Sequence, residues 1–355
     1  MLTQKFSIFF VLLILLFQFC TTEKDVSYEV ISATSIESSK LIHLKREKEI
    51  ILDSGTDIIG HIMVFKMMGE NFLVVDTIHS RQCYLFSSNG KLLKKIGRYG
   101  EGPGEYLHIL AACISKDRIF LTGGRRINIY NKNGEFLKTT IKPFLGICNS
   151  AHAGPNGTVF VVSYNRYNTN KDTIYQLDKD GSLIKSFSPL SGIPPVFDTF
   201  FPQTGLCIED NNIFQFFNFK YEISQCDFEG NIIKKVKISS PLYTPPDFKK
   251  ANVRGHKAEL KYRATFTQVN GFFNYSKGYA VLLANWKTIK KDKNIFEFWS
   301  KDFKPMGYCE INNDELPLGI FNDRLLTADF EGETKIIFWE FQNDDTQVDI
   351  KKNKI

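Results

Sequence analysis

The feature that most constrains the fold of this chain is a hairpin that recurs along it. Each copy has a short apolar strand, a polar turn that ends in glycine, and a second strand. The four clear copies contain Gly90, Gly134, Gly181 and Gly230, which are 44, 47 and 49 residues apart. Asn-Gly and Asp-Gly turns favour hairpins because glycine readily adopts the positive φ that they need. A repeat of this length predicts a modular fold built from β-units.

The segments between the hairpins complete a unit of about four strands. A strongly apolar strand precedes each hairpin, and a weaker strand with small residues precedes that one. A degenerate fifth hairpin at 298–303 lacks the glycine, and a sixth unit lacks its final strand. We predict that the weaker strands lie innermost, and they span 59–64, 108–113, 148–153, 204–208, 268–273 and 316–321.

Six such units packed radially can bury both faces of each sheet, which a single unit cannot do. We therefore predict an all-β, six-bladed β-propeller over residues 40–342, closed by an N-terminal strand near Leu41. Closure also removes an open sheet edge that would promote aggregation. The 32 Phe and 14 Tyr residues agree with a chain rich in strands.

The N-terminus has the pattern of an export signal. Residues 6–17 are almost wholly apolar, which is too short for a comfortable membrane span of about 20 residues but suits a secretory signal. Cys20 stands where a bacterial lipoprotein carries its acylated cysteine, and residues 21–39 would form the tether. Because Phe19 precedes Cys20 in place of a small residue, an uncleaved anchor and ordinary secretion remain alternatives. Residues 343–355 form a polar tail.

The charge pattern argues against nucleic-acid binding. The formal charge is +6, but the 45 basic residues are interspersed with 39 acidic ones and form no long basic tract. The six cysteines after Cys20 are too dispersed for a zinc knuckle or a redox pair and are predicted to be small buried hydrophobes.

A glycine-rich segment joins the first two units, with the sequence GRYGEGPGEY at 97–106. It is followed by a strand and has no Walker lysine, so it does not match a nucleotide-binding loop. We predict a tight connection in which Glu105 accepts backbone N–H bonds, with Arg98 as a candidate ligand contact.

The same segment resembles a link found in exported bacterial six-bladed β-propeller lipoproteins, which are related to NHL-repeat and TolB-like propellers. The resemblance covers about residues 40 to 340 and is clearest in the first four units. It implies the propeller fold and a location in the cell envelope. It implies little about activity.

Two further groups are candidate site residues. His61, His108 and His152 lie on or beside three predicted inner strands, and we expect His61 and His152 to line the central channel. With no carboxylate partner evident, we predict no metal site there. A long basic and aromatic insertion places Arg254, His256 and Arg263 in a loop that could cover one face of the propeller.

The sequence therefore favours a non-catalytic exported propeller without a cofactor. It would be anchored to the membrane through Cys20 and would bind a protein or carbohydrate partner through loops between blades. The alternative is a propeller hydrolase or lyase with a divalent metal on the axis.

Overall fold

The structure is a computed structural model that describes residues 29–34, 40–164, 172–189, 204–250, 261–262, 264–284, 293–312 and 314–342. These residues form strands and tight turns, with only short helical turns between them. The described part of the chain contains no helix long and apolar enough to cross a membrane.

The first strands belong to the N-terminal segment, the first two blades and the link between those blades. They are β1 (Glu29–Thr34), β2 (His43–Ile51), β3 (Ile62–Met68), β4 (Asn71–Asp76), β5 (Gln82–Phe86), β6 (Leu92–Ile96), β7 (Arg98–Tyr99), β8 (Glu105–Tyr106), β9 (Ala111–Ser115), β10 (Arg118–Thr122), β11 (Arg126–Asn131) and β12 (Phe136–Ile141).

The remaining strands form the other blades. They are β13 (Ile147–Ala153), β14 (Val159–Tyr164), β15 (Asp172–Leu177), β16 (Leu183–Pro189), β17 (Thr204–Glu209), β18 (Asn212–Phe217), β19 (Lys220–Cys226), β20 (Ile232–Ser239), β21 (Gln268–Tyr275), β22 (Gly278–Ala284), β23 (Lys293–Ser300), β24 (Pro305–Asn312), β25 (Glu315–Phe321), β26 (Arg324–Asp329) and β27 (Lys335–Gln342).

Six antiparallel sheets make the blades of the propeller, and this confirms the predicted fold. The sheets of blades 1 to 6 begin at the axis with β3, β9, β13, β17, β21 and β25. In blade 6 the outer strand is β2, which pairs antiparallel with β27. The predicted closure by an N-terminal strand is therefore confirmed.

The N-terminal segment also reaches blades 4 and 5. Strand β1 lies in the stretch that the sequence assigns to a tether, and it pairs in parallel with β20 as a fifth strand of blade 4. Leu41 forms a parallel bridge to Tyr308 on the outer strand of blade 5. The segment therefore contacts the outer edges of three consecutive blades.

The glycine-marked hairpins have the predicted geometry. Gly90, Gly134, Gly181 and Gly230 have φ of 83°, 73°, 76° and 87°. In the degenerate copy Phe303 takes the left-handed position at 57°, and its buried ring stacks on Tyr279 with centroids 5.1 Å apart. Ring packing in that blade offsets the conformational cost that glycine avoids in the others.

The hydrophobic core is divided among the six interfaces between neighbouring blades. One buried cluster, for example, joins Phe72 and Tyr84 of blade 1 to Ile336 of blade 6. Another joins Phe214 of blade 4 to Trp299 of blade 5. Because each blade packs on both neighbours, the inner strands are held parallel around a central channel.

Candidate functional site

A cavity of about 480 Å³ occupies the centre of the propeller. All six inner strands contribute to its wall, mostly through small or apolar residues such as Ala111, Ala151 and Gly205. Polar groups are few, so the position of each one matters for what the channel can bind.

Strand register places one residue of each inner strand at the same level of this channel. Each lies two positions before the last residue that pairs across the hairpin turn with the second strand of its blade. We call this set the axial layer, and its members in blade order are Lys66, Cys113, His152, Cys207, Phe273 and Gly319. Four consecutive blades therefore supply an amine, a thiol, an imidazole and a thiol.

The other two blades give the axial layer an apolar side. A side-chain carbon at Gly319 would lie 2.9 Å from the ring of Phe273, and one at Gly271 would lie 2.4 Å from it. Glycine at both positions therefore leaves space for the Phe273 ring, with which a larger residue would clash.

Lys66 is the cation of the axial layer. It lies between Phe65 and Met67 in the wall of the cavity. Burial lowers the pKa of its ammonium group. Among the described residues no hydrogen bond or ion pair holds this group, and the layer contains no carboxylate. Lys66 is half-buried, and an ammonium group that is partly removed from water without a counter-charge is unfavourable, so Lys66 is poised to accept an anion.

The imidazole and the thiols of the layer are held in their neutral forms. Burial, reinforced by the charge of Lys66, lowers the pKa of His152 to about 3. Burial raises the pKa values of Cys113 and Cys207 to about 12. The Cys207 Sγ donates a weak hydrogen bond to Asn274 Oδ1 at 3.8 Å. Protonated thiols are poor nucleophiles and poor metal ligands.

A second cavity, of about 380 Å³, opens at the hairpin face, the face where the inner strands end. Its charged lining residues are Glu209, Lys301 and Asp323. Lys301 forms an ion pair with Glu209 Oε1. The other oxygen, Glu209 Oε2, is buried and has no hydrogen-bond partner in the described part of the chain. Asn274 lines both this cavity and the axial one.

These residues do not fit an axial divalent metal. Across the described residues no group of three or more His, Cys, Asp or Glu is close enough to hold a metal ion. The thiols nearest the axis are protonated, and the charge of Lys66 would repel a cation in the same layer.

Residues 53–330 match the protein family described as a domain of unknown function, DUF4934. The chain belongs to this family. No curated protein sequence matches it.

Solved structures that are similar in fold to this DUF4934 chain have low sequence identity to it. A Bacteroides fragilis protein named "Putative exported protein" has a TM-score of 0.63 at 12% identity, with 88% of this chain and 100% of that chain covered. Virginiamycin B lyase from Staphylococcus aureus has a TM-score of 0.50 at 14% identity, with 84% and 99% covered. A catalytically inactive variant of that lyase with quinupristin has a TM-score of 0.52 at 13% identity, with 83% and 99% covered. At these identities the likeness shows the fold alone.

The glycine-rich link of the DUF4934 chain is a hydrogen-bonded joint between blades 1 and 2. The expectation that Glu105 accepts backbone N–H bonds is confirmed, since Gly102 N–H donates to its Oε2 at 2.8 Å. This bond and the ion pair with Arg98 lower the pKa of Glu105. Arg126 donates to the carbonyl oxygens of Glu101 and Gly102 at 2.7 and 3.1 Å. The link is therefore fixed by its own side chains and by blade 2.

Arg98, the candidate contact of this link, is at the surface. Its side chain is 80% exposed, and its Nε donates to Glu105 Oε1 at 2.6 Å. A cavity of about 310 Å³ lies between the link and blade 2, but Arg98 does not line it. His108, Arg125 and Arg126 do.

The other sequence-predicted residues have different locations. His152 lines the axial cavity, whereas His61 lies just before β3 and is not among the residues that line it. The structure does not bring His61 and His108 together with His152 in the axial layer. Cys20, Arg254, His256 and Arg263 lie outside the described residues.

Sequence reasoning missed Lys66 because the predicted inner strand ended at Val64. Strand β3 instead begins at Ile62 and runs to Met68. Gly60, which the predicted strand includes, precedes β3, and its N–H donates to Asp76 Oδ2 at 2.9 Å. The uninterrupted apolar and basic run at 62–68 was a signal that could have revealed Lys66 as a channel residue.

Proposed function

We propose that this chain is an exported, non-catalytic β-propeller that binds a small anionic ligand in its axial channel. The observation that carries the proposal is Lys66, a half-buried amine in the wall of a cavity of about 480 Å³, without an ion-pair partner among the described residues. A carboxylate or phosphate group of a ligand would supply the missing counter-charge.

The rest of the axial layer supports recognition of an anion. A neutral His152 can donate one hydrogen bond to the same group, and the hydroxyl of Ser150 is buried in the cavity wall without a partner in the described part of the chain. The Phe273 side of the layer would contact the apolar part of a ligand. A few convergent polar groups in an apolar wall are the usual composition of a small-molecule site.

Binding is favoured over an axial hydrolase or lyase because of the protonation states at the axis. The two thiols are held protonated, and the nearby carboxylate of Glu209 already carries an ion pair. These groups are better suited to recognising a ligand than to acting as an activated nucleophile or base.

Export and anchoring are part of the proposal. The apolar segment before Cys20 supports export, and a structural neighbour bears a name that describes an exported protein. We propose a lipid anchor at Cys20, with Arg254, His256 and Arg263 facing a protein or carbohydrate partner. Cys20→Ala should abolish labelling of the expressed protein with a radioactive fatty acid, and unchanged labelling would refute the anchor.

Calorimetric titration with valerate and with inorganic phosphate tests the anion site. We expect binding of one anion per chain, weakened about tenfold or more in Lys66→Met because a charge-assisted hydrogen bond is lost. Lys138→Met, which changes an exposed lysine on β12, is the matched control and should bind as the wild type does. Lack of binding by the wild type, or equal binding by Lys66→Met, would overturn the proposal.

A further inference from the structure

We infer that the ligand is bipolar, with its anionic group at Lys66 and an ammonium group at Glu209. The ligand class is then an amino carboxylate in which a short chain separates the two charges. This inference rests on the proposed function and adds the second contact.

The unsatisfied oxygen of Glu209 is the first observation. Glu209 is the last residue of β17, and its side chain is 13% exposed. Lys301 occupies one carboxylate oxygen, whereas Oε2 is buried without a hydrogen-bond donor in the described part of the chain. A buried carboxylate oxygen without a hydrogen-bond donor is unfavourable, so a ligand that donates a hydrogen bond to Glu209 Oε2 would be stabilised.

The charge of the hairpin-face cavity is the second observation. Its charged lining residues are the two carboxylates Glu209 and Asp323 and the single cation Lys301. Asp323 Oδ1 accepts the backbone N–H of Ser276 at 2.7 Å, and hydrogen bonds from Ser276 together with the charges of Lys277 and Arg324, which do not line the cavity, lower the pKa of Asp323. The lining residues therefore sum to one negative charge, opposite in sign to Lys66, and this charge favours an ammonium group.

The geometry connects the two charges. Glu209 stands two residues after Cys207, a member of the axial layer, so the two levels are about 7 Å apart along the channel. Asn274 is exposed and lines both cavities, and its Oδ1 accepts the Cys207 thiol. Asn274 therefore supplies a polar side chain to both the cationic and the acidic level.

Matched pairs of probes test the second contact. We propose titrating the chain with δ-aminovalerate against valerate, and with ε-aminocaproate against caproate. Each pair has the same chain length and differs only in the terminal amine. We expect the amino compound of at least one pair to bind about tenfold more tightly, the size of one added charge-assisted hydrogen bond.

Two variants assign this advantage to Glu209. Glu209→Gln keeps the shape but removes the charge, and it should erase the advantage of the amine while leaving valerate binding within about twofold. Lys301→Met removes the same ion pair but keeps the carboxylate, so it should retain or enlarge the advantage. Thermal unfolding of both variants checks that each is folded.

The outcomes separate the two proposals. Equal affinity of the amino and the plain carboxylates for the wild type, with both weakened in Lys66→Met, would overturn the bipolar ligand and leave the anion site standing. An advantage that survives in Glu209→Gln would overturn the role of Glu209. Absence of binding by every probe would overturn both proposals.

Discussion

Arg324 on β26 forms a bidentate ion pair with Glu47 on β2, with its Nη2 2.9 Å from Glu47 Oε1. The two residues are 277 positions apart in the sequence. Glu47 stands at a bulge in β2, between the paired residues Arg46 and Lys48. The ion pair therefore spans β27 and joins the first and last parts of the propeller.

Closure of the ring should depend on apolar burial more than on this ion pair. Glu47→Gln is expected to lower the free energy of unfolding by less than about 1 kcal/mol, since both side chains are substantially exposed. Ile50→Ala, which removes a buried side chain of the same strand, should cost about 2–4 kcal/mol. Urea unfolding of both variants measures the difference, and a larger effect of Glu47→Gln would contradict this order.

Gly97 should tolerate no side chain. Its φ is +66°, and an added carbon would lie 2.4 Å from the Tyr130 hydroxyl and 2.8 Å from the Gly104 carbonyl oxygen. Gly97→Ala is expected to destabilise the protein by about 3 kcal/mol, from backbone strain and overpacking together. Gly55 has a similar φ of +72° with nothing within 4 Å, so Gly55→Ala should cost only about 1 kcal/mol. Equal melting temperatures for the two variants would contradict the packing role of the link.

Acid sensitivity should depend on His152. Its pKa is lowered to about 3 by burial and by Lys66, so between that pH and about 6.5 the unfolded chain binds a proton that the folded chain does not. Stability is therefore lost as the pH falls through this window, by about 1–2 kcal/mol near pH 5. His152→Gln should flatten this part of the curve of unfolding free energy against pH. The exposed His43→Gln serves as the control, and an unchanged slope in His152→Gln would refute the assignment.

A buried hydrogen-bond network should stabilise the interface of blades 4 and 5. The Tyr221 hydroxyl donates to Glu297 Oε2 at 2.6 Å and accepts from Trp299 Nε1 at 3.2 Å. Tyr221→Phe leaves both partners buried with one bond fewer, which should cost about 1–3 kcal/mol. Guanidinium unfolding checks this value. Tyr99→Phe, at an exposed position, should leave the stability unchanged, and equal effects of the two changes would contradict the network.

The blade number and the closure could be predicted because they follow from local signals that repeat. The turn glycines fix hairpins through backbone conformation alone, and the unpaired sixth unit requires a strand from elsewhere. Even the copy without glycine folds alike, since the buried ring of Phe303 stabilises the positive φ there.

The axial site could be predicted only in part because it depends on register between distant strands. His152 was expected in the channel and lines it, but Lys66 and Glu209 come from blades 1 and 4. Nothing local in the sequence indicates that Glu209 lies only two residues along the channel from the level of Lys66. Strand β1 was also missed, because a parallel pairing with β20 leaves no turn between the partners.

The contacts of the N-terminal segment with blades 4, 5 and 6 have a kinetic consequence. This segment is synthesised before its partners β20, Tyr308 and β27, so the sheet of blade 6 cannot be completed until β27 has been made. Pairings of large sequence separation form slowly. The newly made chain must therefore remain incompletely closed, with unpaired strand edges, until the last blade is made.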